Sequence, residues 1–147
     1  MAIRPARDGE FPTLQPLLRG YTDFYESNPP DAGLEAMVAA AIEAPDDQAF
    51  LLVAEDGDEI VGFAHCQWKY SSLRGERIVV LDDLFVRDAS RGEGFADALI
   101  AGAADVAREH GATVLSWMTA PDNHRAQKVY NRVGGTSETY LEYELEL

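Results

Sequence analysis

The segment Arg87-Asp88-Ala89-Ser90-Arg91-Gly92-Glu93-Gly94-Phe95-Ala96 joins an apolar strand pattern to a helical one, with two glycines at the junction. A helix start presents unpaired N–H groups and partial positive charge, which suits a phosphate. Gly92 and Gly94 let backbone approach such a ligand, and Arg91 adds a charged donor. The same spacing also serves an ordinary strand-to-helix turn, so taken alone it permits a phosphate without requiring one. The third glycine of a dinucleotide fingerprint is absent, as is the G-x-x-x-x-G-K-[ST] of an NTPase loop.

Asp82 and Asp83 interrupt the runs Ile78-Val79-Val80-Leu81 and Leu84-Phe85-Val86. Aspartate is a poor strand residue, and broken local rules concentrate at functional sites. Two carboxylates here suit binding of a cationic amine and help with its deprotonation; otherwise they are a solvated bulge on a strand edge. Successive strand residues point to opposite faces, so only one reaches a substrate unless the strand bulges. Tyr21, Phe24, Tyr25 and Glu26 follow a helical stripe. They suit either a cation, with aromatic faces and one acid, or an apolar lid on the sheet. Tyr130 shares a stripe with Ala126, Val129 and Val133, which by itself reads as core. His65, His110 and His124 have no metal-ligand spacing, so no metal is expected; His65 is placed to line an acceptor pocket. Cys66, the single cysteine, reads as a small buried apolar group.

The positioning elements follow from periodicity. Ile3 to Ala6 reads as a first strand. Phe11, Leu14, Leu17, Leu18 and Tyr21 mark a helix, with Pro16 predicting a late start or a kink. Leu34, Met37, Val38, Ala41 and Ile42 mark a second helix, ended by Pro45. Phe50 to Ala54, Ile60 to Ser71 and Arg77 to Val86 form an antiparallel meander, with an Asp56-Gly57 turn. Phe95, Ala96, Leu99, Ile100, Ala103, Val106 and Ala107 make a third helix stopped by Gly111. Thr113 to Met118 is a strand, and a helix opens at Asn123 and stops at Gly134. The tail alternates Leu141, Tyr143, Leu145 and Leu147 with glutamates, predicting a half-buried final strand. The fold class is α/β: a mixed, mostly antiparallel sheet flanked by helices, in one domain over residues 1–147.

Arg91 to Ala96 resembles the [Q/R]-x-x-G-x-[G/A] signature of the GCN5-related N-acetyltransferase (GNAT) family. Leu81 to Val86 resembles that family's preceding strand, which bulges and lies beside the pantetheine arm. Asn123 to Gly135 resembles its second cofactor segment. The resemblance implies a GNAT-like acyl-CoA N-acyltransferase fold with acetyl-CoA as cosubstrate. It implies contacts to the cofactor from Leu84, Phe85, Val86, Arg91, Gly92, Glu93, Gly94, Phe95, Ala96 and Asn123. By resemblance Tyr130 is the general acid for the thiolate, and a backbone N–H near Phe85 stabilises the developing oxyanion. Asp82 matches a glutamate of the polyamine-acetylating branch, so Asp82 is assigned to catalysis. Asp82, Asp83, Tyr21, Tyr25 and Glu26 are assigned to the acceptor.

The chain carries a net charge of −14 and a pI near 4.4, which repels nucleic acid and attracts cations; it also serves plain solubility. No run approaches the ~20 apolar residues of a membrane span. The start, Met1 to Asp8, lacks an apolar signal region, and a lone cysteine fits a reducing compartment, so a cytoplasmic protein is expected. The expected reaction is direct acetyl transfer to a primary amine of a small cationic acceptor. Competing readings are transfer to a protein N-terminus or an amino-bearing antibiotic, and a non-catalytic coenzyme A-binding module, which Glu93 in the phosphate loop favours. Similar proteins are commonly dimers, and a homodimer is compatible with the sequence.

Overall fold

The computed structural model describes residues 1–147. Its elements in order are β1 (Ala2–Pro5), α1 (Phe11–Phe24), α2 (Asp31–Glu43), β2 (Ala49–Asp56), β3 (Glu59–Ser71), β4 (Glu76–Val86), a 3₁₀ turn (Asp88–Ser90), α3 (Phe95–Glu109), β5 (Leu115–Ser116) and α4 (His124–Arg132). The sheet order is β1-β2-β3-β4-β5. The first four strands pair antiparallel, and β4 pairs β5 in parallel across the α3 crossover.

Both faces of the sheet are covered, which is why Phe50 to Ala54 is apolar without interruption. Phe50, Leu52 and Ala54 pack with Leu99, Ile100 and Ala103 of α3. Leu51 and Val53 pack with Leu14, Leu17, Leu18 and Val38 of α1 and α2. The first helix starts at Phe11, earlier than Pro16 predicts. Pro12 lies in the first turn, where a missing N–H loses no helical partner. Pro16 costs roughly 3 kcal/mol. Burying Leu14, Leu17 and Leu18 returns about 1.5–3 kcal/mol each, so the helix continues through it. Gly20 lets α1 lie against β4: a Cβ there would come within 2.6 Å of the Phe85 ring.

The ladder between β3 and β4 shifts between His65 and Cys66. His65 faces Asp83, Cys66 faces Leu81, and Asp82 is the extra residue of a bulge. Gln67 Nε2 donates to Asp82 Oδ2 at 2.8 Å, and His65 Nδ1 lies 3.0 Å from Asp83 Oδ2. His65 and Gln67 are two apart on β3 and share a face. The bulge therefore brings both carboxylates to one side of the sheet, under α1.

Two expectations are corrected. The strand expected over Thr113 to Met118 pairs only at Leu115 and Ser116, opposite Val79 and Val80. Past this point β4 approaches its bulge, and Trp117 packs instead on Tyr130, with ring centroids 5.4 Å apart. The alternating tail forms no strand, and Leu141, Tyr143 and Leu145 are 80%, 87% and 84% exposed. Alternation specifies a face, but a strand also needs a neighbour for its N–H and C=O groups. The single chain supplies none beside residues 136–147.

Candidate active site

The loop before α3 is shaped by glycine. Gly92 and Gly94 have φ of +86° and +88°, and Gly94 is the N-cap of α3. These are left-handed values that glycine adopts without the Cβ penalty. The N–H groups of Gly92, Glu93, Gly94, Phe95 and Ala96 donate to no backbone carbonyl, and the helical ladder begins with Ala98 N–H to Gly94 O at 3.0 Å. Successive free N–H groups at a helix start form an anion-binding concavity. The chain thus fits a pyrophosphate here. The Arg91 guanidinium is engaged: it donates to Val86 O at 3.0 Å and pairs with Asp88 at 2.6 Å. It braces the loop against β4. Glu93 is exposed.

A cleft of about 650 Å3 opens between this loop, the end of β4 and α4. That volume takes a cofactor-sized ligand. Leu84, Phe85 and Val86, the loop from Arg91 to Ala96, Asn123, Tyr130 and Tyr21 all line it. Tyr25, Glu26, Asp82 and Asp83 are not in its walls. Glu26 is exposed in the left-handed turn after α1, at φ +55°.

Helix α4 is fixed at both ends. Asn123 caps it, its Oδ1 accepting from Ala126 N–H at 3.2 Å. Arg132 donates to both oxygens of Asp97 at 2.8 and 2.7 Å, tying the end of α4 to the start of α3. Gly135 N–H donates to Tyr130 O at 2.9 Å, and a Cβ at Gly135 would meet that oxygen at 2.9 Å. A side chain at residue 135 would therefore strain this contact.

Tyr130 stands edge-on to Trp117 on this rigid helix. Burial, and then the nearby Tyr25 hydroxyl, raise it above its ordinary value of 10.0, so it keeps its proton at neutral pH. Tyr25 is also raised, by burial and then by the charge of Asp83. Tyr21 is raised strongly, by burial first and then by the charge and hydrogen bond of Asp83. Its hydroxyl lies 3.5 Å from the Asp82 carbonyl. Tyr21 and Tyr25 therefore link the cleft to the carboxylates. Cys66 is fully buried, and burial pushes its thiol far up, which removes it as a nucleophile.

Residues 14–135 match the model of the acetyltransferase (GNAT) family. The chain belongs to this family. It is an acetyl-CoA-dependent N-acetyltransferase acting on an amine. The GNAT chain is 32% identical to an uncharacterized N-acetyltransferase, YhfO, of Bacillus subtilis, over 95% of this chain and 92% of that one. It is 28% identical to a thialysine N-epsilon-acetyltransferase of Bos taurus, over 84% of this chain and 62% of the relative. Its fold matches the structure of AAC(6')-Iy in complex with the bisubstrate analogue CoA-S-monomethyl-acetylneamine. The TM-score there is 0.85, at 23% identity, covering 99% of this chain and 98% of the other.

Among the cleft residues that sequence reasoning on this acetyltransferase missed are Arg125 and Lys128, which line the cleft from α4. They lie off the apolar stripe of that helix and read as a solvated face; the signal was their i, i+3 spacing just after the Asn123 cap. His65 gains a definite partner, Asp83, which periodicity alone does not reveal because the bulge sets the pairing.

Proposed function

We propose that this acetyltransferase moves the acetyl group of acetyl-CoA to a primary amine of a small cationic acceptor, of the polyamine or lysine-like kind. Transfer is by direct attack in a ternary complex. The observation that carries this reading is the bulge at Asp82, which gathers two carboxylates on one face beside Tyr21 and Tyr25. Support comes from the Bos taurus relative, whose acceptor is thialysine. The coenzyme A analogue bound to the structural neighbour supports coenzyme A in the cleft.

In this reading the N–H groups of Gly92 to Ala96 hold the pyrophosphate, with Arg125 and Lys128 adding positive charge. Leu84, Phe85 and Val86 flank the pantetheine arm, and Asn123 holds the start of α4. A lysine-like amine has a pKa near ~10.4, so it arrives protonated and must lose a proton before attack. Asp82 attracts the ammonium and, directly or through water, helps remove that proton. A backbone N–H near Phe85 stabilises the developing oxyanion. Tyr130 gives its proton to the leaving thiolate. Tyr21, Tyr25 and Glu26 wall the acceptor, and no metal enters the reaction.

Initial rates with cationic, neutral and anionic amines test the acceptor. Cationic diamines should give the highest kcat/KM, and that advantage should fall with added salt. Asp82→Asn should raise KM for the cation several-fold while leaving acetyl-CoA affinity near wild type. An Asp82→Asn enzyme equal to wild type removes Asp82 from the site, and an anionic or neutral best acceptor removes the cation.

We also assign the exposed tail to a second copy of the chain. Leu141, Tyr143 and Leu145 are exposed apolar residues that alternate along a tail without a strand partner in the single chain. Light scattering should give a dimer for the wild type and a monomer for the Tyr143→Lys, Leu145→Glu variant. Equal masses for the two would reject this assignment.

A further inference from the structure

Beneath α1, a buried histidine meets one of the two aspartates. His65 is 6% exposed, and its Nδ1 lies 3.0 Å from Asp83 Oδ2. An ionised carboxylate only accepts, so Nδ1–H is the donor. The ladder builds this contact: His65 and Asp83 are direct partners, and the register shifts immediately after them. The two aspartates consequently differ. Asp82 is exposed and tied to Gln67. Asp83 is sheltered, with its side chain 21% exposed, and His65 is its hydrogen-bond partner. The Tyr21 hydroxyl reaches the neighbouring Asp82 carbonyl at 3.5 Å, and the Tyr25 ring lies 5.0 Å from the Tyr21 ring. A sheltered carboxylate with one oxygen fixed, bordered by aromatic rings, is suited to an ammonium ion.

We infer that Asp83 is the carboxylate that seats the acceptor's ammonium, and that His65 is its positioning residue. The inference rests on the acetyl-transfer reading and refines it: Asp82 draws the cation in at the exposed rim, and Asp83 holds it. A carboxylate must otherwise be ordered when the ligand binds, at a cost in affinity. The Nδ1–H of His65 orders Asp83 in advance and leaves Oδ1 for the ammonium.

The test uses the full chain, with 1,4-diaminobutane and a neutral arylamine as acceptors. His65→Leu should raise KM for the diamine roughly tenfold, the loss expected for a hydrogen bond to a charged group. KM for acetyl-CoA, KM for the arylamine and the melting temperature should stay near wild type. His65→Asn, whose side-chain N–H lies near the position of Nδ1–H, should recover most of the lost affinity. Asp83→Asn should raise the diamine KM as His65→Leu does, and the double variant should do no more than the larger single effect. If His65→Leu keeps the wild-type diamine KM while the wild type prefers the diamine, the inference fails and the acetyl-transfer reading stands. Parallel loss of acetyl-CoA affinity, diamine affinity and melting temperature, without rescue by His65→Asn, makes His65 structural and also overturns the inference. A wild type with no preference for the diamine overturns both.

Discussion

Replacing Tyr130 by phenylalanine should lower kcat for acetyl transfer by roughly 10²–10⁴, the usual range for a general acid. The substitution keeps the ring against Trp117 and removes only the hydroxyl, so the melting temperature should change little. Acetyl-CoA affinity should be retained, because the proposed pyrophosphate cradle is the backbone of residues 92–96 and not Tyr130. The raised pKa of Tyr130 sets the pH behaviour. Its acid form persists above the ordinary tyrosine value, so kcat should show no alkaline decline from this group below about 10. Single-turnover rates with a saturating amine measure the effect. A Phe variant with wild-type kcat would return Tyr130 to a packing role.

The second large effect concerns the phosphate loop. Gly94→Asp places a carboxylate beside the free N–H groups proposed to hold the pyrophosphate. Two unit charges at 4 Å interact by about 4 kcal/mol at an effective dielectric constant of 20. The loop is open to solvent, which weakens this, and a loss of acetyl-CoA affinity on the order of 10²-fold is expected. Gly94→Ala is the control. It shares the cost of a side chain at φ +88°, about 1–2 kcal/mol, without the charge. Its Cβ would meet only Met1 Cε, at 3.9 Å, so nothing blocks it sterically. Calorimetry should rank wild type above Gly94→Ala and Gly94→Ala well above Gly94→Asp. Equal affinities for the two variants would move the pyrophosphate elsewhere.

Much of the frame is legible before folding. Helix stripes, the strand meander and the stop glycines are local patterns, and the elements they predict appear in the predicted order. The geometry of the loop from Arg91 to Ala96 is equally legible, because the two glycines that announce its turn both adopt positive φ. The acceptor side is less so. Whether Asp82 and Asp83 share a face depends on the bulge at Asp82; the family resemblance implies a bulge in this strand, but its position is set by the pairing of β4 with β3. The pairing of His65 with Asp83 joins positions 18 residues apart. Arg125 and Lys128 become cleft residues through the placing of α4 against the start of α3, which the contact of Arg132 with Asp97 bridges. The tail shows the opposite limit: the alternation of Leu141, Tyr143 and Leu145 predicts a strand that the single chain does not form, because pairing is a property of two segments.

The central claim is that one cleft binds acetyl-CoA and passes its acetyl group directly to an amine. Thiol release from acetyl-CoA, measured together with the N-acetylated product by mass spectrometry over a panel of cationic amines, tests it most directly. The account predicts that release needs an amine, that thiol and acetylated amine form in equal amounts, and that no acetyl group remains on the protein. Acetyl-CoA binding without thiol release for any amine, or an acetylated protein as the intermediate, would contradict it.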